Sequence, residues 1–267
     1  MTEEAWSYRQ RAAETKRKRT WEQVISGTLA LYGELPEGDF TRDEIAKASG
    51  VGVATVHNHF RTKYGVLSRV YQRLLSPAVE WLKCELHPPR AADDKDPLRA
   101  SARYVDALIG YIYLVVKTSD DHRALTSSMV RSYFEAQSEQ TERFRLADYD
   151  QLSLAETINR GINAILTGML MQNVFEKEKV GHFEFFFEDP DVMSSYHARA
   201  ILLTVYHSLS GVNDDGMPAR VTEQVGKLLL SGIGVSVSKD VILQRIPSAI
   251  QKANLWYDKK KRSGWLD

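Results

Sequence analysis

The 267-residue sequence has one cysteine, no long apolar run and no excess of charge of either sign. The single cysteine, Cys84, excludes a disulfide framework within the chain, which fits the reducing cytosol. We expect Cys84 to be a small apolar side chain buried in the protein. No apolar stretch approaches the roughly 20 residues that span a bilayer. The N-terminus also lacks the apolar segment of a secretory signal. The sequence therefore predicts a cytoplasmic protein with no membrane partner.

Equal numbers of basic and acidic residues, 35 of each, show that the chain is not a polycation. Any contact with nucleic acid must then come from a local basic patch. Catalytic and metal-binding patterns are also missing. His57 and His59 are two apart and diverge on a helix, and "GVGVAT" from Gly50 lacks the third glycine and the preceding strand of a dinucleotide-binding loop. We expect no enzymatic activity, no metal site and no cofactor.

Apolar residues recur with a period near 3.6 along most of the chain, and strand-like alternation is almost absent. This periodicity predicts an all-α fold. The predicted helices lie at about 18–32, 41–49, 53–60, 63–86 (kinked at Pro77), 98–117, 121–140, 152–175, 192–209, 220–230 and 238–263. Loop-like composition at "HPPRAADDKDP" and "EKEKVGHFEFFFEDPD" interrupts the pattern. We divide the chain into domains at 1–75 and 76–234, followed by a C-terminal helical extension at 235–267.

The stretch "IAKASGVGVATVHNHF", residues 45–60, reads as two short helices joined by a tight turn. Thr41 is a good N-cap for the first helix, and Glu44 stands three residues later, as in a capping box. Ile45 and Ala48 are expected to point inward. Gly50 supplies the positive φ that the turn requires. This is the helix-turn-helix pattern.

The second short helix is polar or small on its outer side but carries no Lys, Arg, Asp or Glu. A helix that enters the DNA major groove needs such side chains to meet base edges and thymine methyl groups. An ordinary helical corner packed in a core is the alternative. The candidate DNA-binding residues are Thr41, Arg42, Val53, Ala54, Thr55, His57, Asn58, His59 and Lys63.

Basic residues flank this pattern, and Lys63 opens the following helix, where free backbone N–H groups also attract phosphate. Residues 1–75 contain 12 Lys and Arg against 9 Asp and Glu, and six of the basic residues lie between Arg9 and Arg19. Two interpretations of this N-terminal run remain open. It is either a solvated tail or an arm that follows the DNA backbone or enters the adjacent minor groove.

The segments "RTWEQVISGTLALYGE" and "FTRDEIAKASGVGVATVHNHFRTKYGVLSRVY" together resemble the N-terminal domain of TetR-like transcriptional regulators. The similarity covers residues 19–71, about a fifth of the chain. The chain differs from the common pattern at Gly52, His57 and His59. The resemblance implies a three-helix DNA-binding head joined to a larger helical body that binds a small-molecule ligand and dimerises.

By the same resemblance, the last two body helices, at 192–209 and 220–230, would form a four-helix interface with their mates in a homodimer. Both are apolar around more than one face, which also fits a plain core helix. Aromatic, Met and Asn side chains on the body helices suit a mixed ligand site, although aromatics at helical spacing are equally typical of a core. The candidate ligand-binding residues are Trp81, Tyr104, Tyr111, Met129, Tyr133, Phe134, Asn159 and Asn163.

The resulting hypothesis is a repressor that binds a palindromic double-stranded DNA operator as a homodimer and is released by a small-molecule effector. The alternative is a constitutive DNA-binding accessory or structural factor without a ligand switch. The C-terminal "NLWYDKKKRSGWLD" is open to two further interpretations. It is either a surface for a partner or a tail that packs on the body.

Overall fold

A computed structural model of the chain describes residues 3–35, 38–86, 97–139, 154–171, 190–209, 216–233 and 239–265. These residues form eleven helices and no strand, which confirms the predicted all-helical class for the described part. The helices are α1 Glu3–Glu34, α2 Arg42–Ala48, α3 Val53–His59, α4 Lys63–Leu74, α5 Ser76–Leu86, α6 Pro97–Asp121, α7 Arg123–Glu139, α8 Leu154–Met171, α9 Pro190–Leu209, α10 Met217–Ile233 and α11 Lys239–Arg262.

The chain forms two compact units whose bounds differ from the predicted domains. The first unit comprises Met1–Tyr71 and His122–Gln151, and the second comprises Gln72–Asp121 and Leu152–Asp267. The predicted body at 76–234 had included α7, but α7 packs on α1 in the first unit. The sequence gives no sign of this, because the contact joins residues about 100 positions apart, such as Tyr32 and Ser128.

The helix predicted at 63–86 is two helices, α4 and α5, which meet at Leu75. Pro77 has no N–H to donate to the carbonyl of Arg73, four residues earlier. The hydroxyl of Ser76 donates to that carbonyl instead, at 2.7 Å. Pro77 therefore stands in the first turn of α5, where a missing N–H costs nothing, and the predicted kink is a helix boundary.

Helix α6 lies at the centre of the second unit. It contacts α5, α8, α9, α10 and α11, and all its residues from Ala107 to Val116 are buried. A helix that is apolar on every side needs neighbours on every side. The described core of the second unit is therefore arranged around α6.

The C-terminal helix α11 packs on α5, α6 and α10 of the second unit. Along its length it makes four ion pairs and one tryptophan hydrogen bond with α5 and α6. These are Arg245–Asp106, Lys252–Glu85, Lys260–Glu80, Lys261–Asp121 and the bond from Trp256 Nε1 to the carbonyl of Pro77 at 3.2 Å. Two basic residues of the segment that suggested a solvated or partner-binding tail, Lys260 and Lys261, are thus paired within the unit.

The structure bears on two expectations from the sequence, the burial of Cys84 and the absence of a membrane-spanning helix. Cys84 was expected to be buried, but it is exposed near the C-terminal end of α5, although it lies three residues after the buried Trp81. Among the described residues, no helix combines the length and apolar character needed to cross a bilayer.

Candidate nucleic-acid interface

Helix α2 begins and ends as its sequence predicts. Thr41 is the N-cap, and its side chain and that of Glu44 bond reciprocally to each other's backbone N–H groups, which is a capping box. These hydrogen bonds from Thr41 hold the pKa of Glu44 below its ordinary value. Gly50 has φ +63°. Its N–H donates to the carbonyl of Lys47 at 3.2 Å, and the N–H of Val51 donates to that of Ala46 at 3.1 Å, which together form a Schellman motif.

A close approach of α1 fixes the position of α2. A Cβ added at Gly27 of α1 would lie 2.5 Å from Cα of Ser49, the C-cap of α2. Ile45 and Ala46 fill the buried side of α2, whereas Ala48 is exposed. The expectation that Ala48 points inward was therefore wrong, because α1 and α3 cover the face that carries Ala46.

Helix α3 is held by one buried side chain and leaves the rest of its surface outward. Val56 is fully buried, and Phe60 just beyond the helix is 4% exposed. Val53 is 44% exposed, and Ala54 and Asn58 are also exposed. Thr55, His57 and His59 are partly buried. The outer side of α3 is thus an accessible surface without a Lys, Arg, Asp or Glu side chain.

Two of the candidate DNA-binding residues are engaged within the first unit. Nε2 of His57 lies 2.7 Å from Oδ1 of Asp43 on α2, so this pair links α2 to α3. Arg42 donates through Nη1 to the carbonyl oxygens of Phe60 at 3.0 Å and Arg61 at 2.6 Å. Arg42 therefore orders the connection between α3 and α4.

A third candidate, Lys63, forms an ion pair with Asp39 in the segment between α1 and α2. Oδ1 of Asp39 also accepts a hydrogen bond from Ser128 Oγ of α7 at 2.5 Å, and Arg131 Nη1 lies 3.6 Å from Oδ2. The hydroxyl of Tyr32 in turn donates to Ser128 Oγ at 2.9 Å. These contacts join α1, α4 and α7 around a single carboxylate. The sequence analysis missed Asp39, Ser128 and Tyr32, since nothing in the local pattern marks them.

The pKa values of this group follow from burial and charge. Partial burial by itself raises the pKa of Asp39, but the hydrogen bonds from Lys63 and Ser128 and the charges of Lys63 and Arg131 outweigh it. The pKa of Asp39 therefore lies below its ordinary value. Burial raises the pKa of Tyr32, so its hydroxyl stays protonated and remains a donor.

The basic N-terminal run is part of α1, which begins at Glu3 and is therefore far longer than the predicted 18–32. Its residues from Arg11 to Arg19 are all exposed. Arg17 and Arg69 lie over the ring of Trp21, at 5.4 and 4.2 Å from its centroid. These basic residues therefore lie on the exposed part of α1, just before the point where Trp21 contacts Arg69 of α4.

Five of the candidate ligand residues lie in the second unit, and the described contacts place two of them in its core. Trp81 covers Gly110, where an added Cβ would lie 2.4 Å from the indole, and Trp81 Nε1 donates to the carbonyl of Ala107 at 3.3 Å. Tyr111 covers Gly161 in the same way. Tyr104 is 5% exposed.

The candidates on α7 belong to the first unit, whereas those on α5, α6 and α8 belong to the second. Met129 is fully buried there. Tyr133 and Phe134 also lie in α7, but their side chains are outside the described part.

Two polar side chains on α8 and one on α9 are partly buried in the second unit. Asn163 Oδ1 accepts from Thr167 at 2.9 Å. Oδ1 of Asn159 and Nδ1 of His197 are buried and have no hydrogen-bond partner within the described residues. Burial lowers the pKa of His197, which keeps its imidazole neutral. The sequence analysis had not selected His197.

The helices expected at a dimer interface, α9 and α10, pack against each other. Leu203 on α9 is 53% exposed, whereas Ala198, Ile201 and Val205 on the same helix are buried. The segment "EKEKVGHFEFFFEDPD" lies outside the described residues except for its last two, Pro190 and Asp191, which begin α9. Comparison of the chain with models of protein families gives no match, and comparison with curated proteins gives none either.

Proposed function

We propose that the chain is a DNA-binding transcriptional regulator of the TetR-like type, a repressor that binds a palindromic operator as a homodimer and is released by a small molecule. The observation that carries the proposal is the exposed, uncharged outer side of α3, which follows a capped α2 and a Schellman turn. This geometry supports assignment as a helix-turn-helix, in which the second helix enters the major groove.

Base recognition is assigned to the exposed side chains of α3. The amide of Asn58 has the donor and acceptor that pair with an adenine edge, and the exposed Val53 and Ala54 suit contact with thymine methyl groups. Thr55, His57 and His59 border this surface. Because these three side chains are partly buried, we assign them to the edge of the recognition surface, where they shape its fit to the groove.

Phosphate contacts are assigned to the groups around α3. The exposed basic residues of α1, together with Lys47 and the N-terminus of α4, supply positive charge beside the recognition helix. Arg42 already serves the carbonyls of Phe60 and Arg61. It therefore acts by holding the α3–α4 connection in place, and Thr41 acts through the cap of α2.

Ligand binding is assigned to the second unit, where Asn159 and His197 carry buried polar atoms that lack a partner among the described residues. Buried polar atoms nearly always bond to protein, water or ligand. A molecule with an apolar body and a few hydrogen-bonding groups would satisfy them. Release from DNA would follow if this molecule binds a non-matching arrangement of the dimer more tightly, by a few kcal/mol. Helix α4, in which one of the boundaries between the units falls, is a covalent link for that change.

One observation favours the alternative of a DNA-binding factor without a ligand switch. Trp81 and Tyr111 are seated on Gly110 and Gly161, which leaves their rings committed to core packing. A constitutive binder would keep its DNA affinity in the presence of every small molecule tested. A repressor of the proposed type would lose affinity with at least one member of a panel of apolar compounds that carry hydrogen-bonding groups.

The test of DNA binding is selection of duplexes from a random-sequence pool, followed by affinity measurements over a series of salt concentrations. The parent is expected to select a palindromic site. Asn58→Ala should weaken the selected site by about 1–3 kcal/mol, and Lys63→Ala should weaken all duplexes about equally and reduce the salt slope by about one unit. Gln251→Ala, an exposed amide on α11, is the matched control and should bind like the parent. Parent-like binding by both test variants would show that the assigned surface is wrong.

A further inference from the structure

Lys63, the cation expected at the start of α4 as a phosphate contact, already has a partner within the fold. Lys63 is paired with Asp39, and its side chain is 24% exposed, against 45% for that of Asp39. An ammonium group that faces a carboxylate must exchange or share that partner before it can hold a phosphate. The free energy of the exchange depends on how firmly Asp39 holds Lys63.

Asp39 is itself held by α7. Ser128 is 3% exposed, and its hydroxyl donates to Oδ1 of Asp39, the same oxygen that faces Lys63. Tyr32 donates to Ser128, which leaves the hydroxyl hydrogen of Ser128 directed at Asp39. Arg131 lies on the other carboxylate oxygen. Both oxygens of Asp39 are thus oriented by side chains of α7.

We propose that Asp39 is a positioning residue that competes with DNA phosphate for Lys63, and that Ser128 on α7 sets the strength of this competition. Displacement of α7 would release Asp39 and thereby change the DNA affinity of the first unit. This proposal rests on the proposed function, because it assigns Lys63 to phosphate. It adds a way for α7 to regulate the DNA-binding surface. The group that moves is the carboxylate of Asp39.

Asp39→Asn tests the competition, because it removes the negative charge and keeps the shape. DNA affinity at low salt should rise by about three- to fivefold, the range expected for loss of a partly exposed ion pair. Loss of any acidic charge favours DNA slightly, so Glu22→Gln, an exposed carboxylate on α1, is the matched control. Its gain should remain below about twofold.

The decisive measurement repeats both substitutions in a Lys63→Met background. If Asp39 acts through Lys63, the excess gain of Asp39→Asn over Glu22→Gln disappears there. An excess that persists without Lys63, or an excess that is absent from the parent background, overturns the proposal. If the parent binds no duplex at all, the proposed function fails together with the competition. If the parent binds DNA and the excess gain of Asp39→Asn over Glu22→Gln is the same with and without Lys63, only the competition fails.

A second readout needs no DNA. The carboxyl pKa of Asp39, followed by carbon NMR over a pH series, should lie below its ordinary value in the parent and rise in Lys63→Met and in Ser128→Ala. Ser128→Ala should also raise DNA affinity by about twofold, with thermal unfolding as the check that the variant is folded. A carboxyl pKa that does not move in Lys63→Met overturns the pairing, and one that does not move in Ser128→Ala overturns the part assigned to α7.

Discussion

At the scale of single residues, aromatic rings seated on glycines fix how the helices of the second unit approach α6. Trp81 of α5 lies on Gly110, and Tyr111 lies on Gly161 of α8. Each glycine lacks the Cβ that would occupy the space of the ring. These contacts are steric, so they are sensitive to the addition of a single methyl group.

Gly110→Ala is expected to lower the free energy of unfolding by about 1–3 kcal/mol, because the new methyl group would lie 2.4 Å from the indole of Trp81. Urea unfolding followed by tryptophan fluorescence and circular dichroism measures the change. Gly33→Ala is the control, since its Cβ meets nothing within 4 Å in α1. Alanine favours a helix over glycine by up to about 1 kcal/mol, so this variant should be as stable as the parent or more stable. Equal stability of Gly110→Ala and the parent would contradict the close packing.

At the scale of elements, the described helices are held by a few long-range polar contacts in addition to their apolar faces. Helix α11 is an example. Arg245 reaches Asp106 of α6 through two hydrogen bonds, Nε to Oδ1 at 3.0 Å and Nη2 to Oδ2 at 2.5 Å. Such a two-point contact fixes the rotation of α11 as well as its distance from α6.

The Arg245–Asp106 pair should therefore contribute more than an ordinary surface pair. A double-mutant cycle with Arg245→Gln and Asp106→Asn is expected to give a coupling free energy of about 1–2 kcal/mol in urea unfolding. The same cycle with Glu223→Gln and Lys227→Gln, an exposed pair within α10, should give only about 0.3–0.5 kcal/mol. Coupling of the same size in both cycles would show that the two-point contact has no special role.

At the scale of the whole molecule, function in the proposed repressor depends on assembly. A two-fold dimer presents two recognition helices to half-sites one DNA turn apart, which matches a palindromic operator. In this proposal, the apolar surface that would support assembly lies on α9, where Leu203 is 53% exposed. Val205 and Leu209 on the same helix are buried, so Leu203 is a residue of α9 that contact with a second copy would cover.

Leu203→Glu is expected to convert a dimer into a monomer, because it places a charge in an apolar contact between copies. Sedimentation velocity measures the change, and unaltered helical content by circular dichroism shows that the fold is intact. Leu255→Glu on α11 is the control. Leu255 is a leucine of similar exposure, 62%, but it lies on α11, outside the helices α9 and α10 proposed for the interface, so a variant there should leave the oligomeric state unchanged. If both variants remain dimers, the interface does not include the exposed side of α9.

The sequence by itself determined the helical class, the capping box of Thr41 and Glu44, the positive φ of Gly50 and the uncharged outer side of α3. Each follows from residues within one or two turns of one another, where side-chain spacing and backbone preference act directly. Only the tertiary structure decided that α7 joins the first unit, that Asp39 takes Lys63, and that glycines receive Trp81 and Tyr111. These contacts join residues far apart in the chain, such as Asp39 and Ser128 at a separation of 89, and local rules carry no information about which distant side chain will fill a given space.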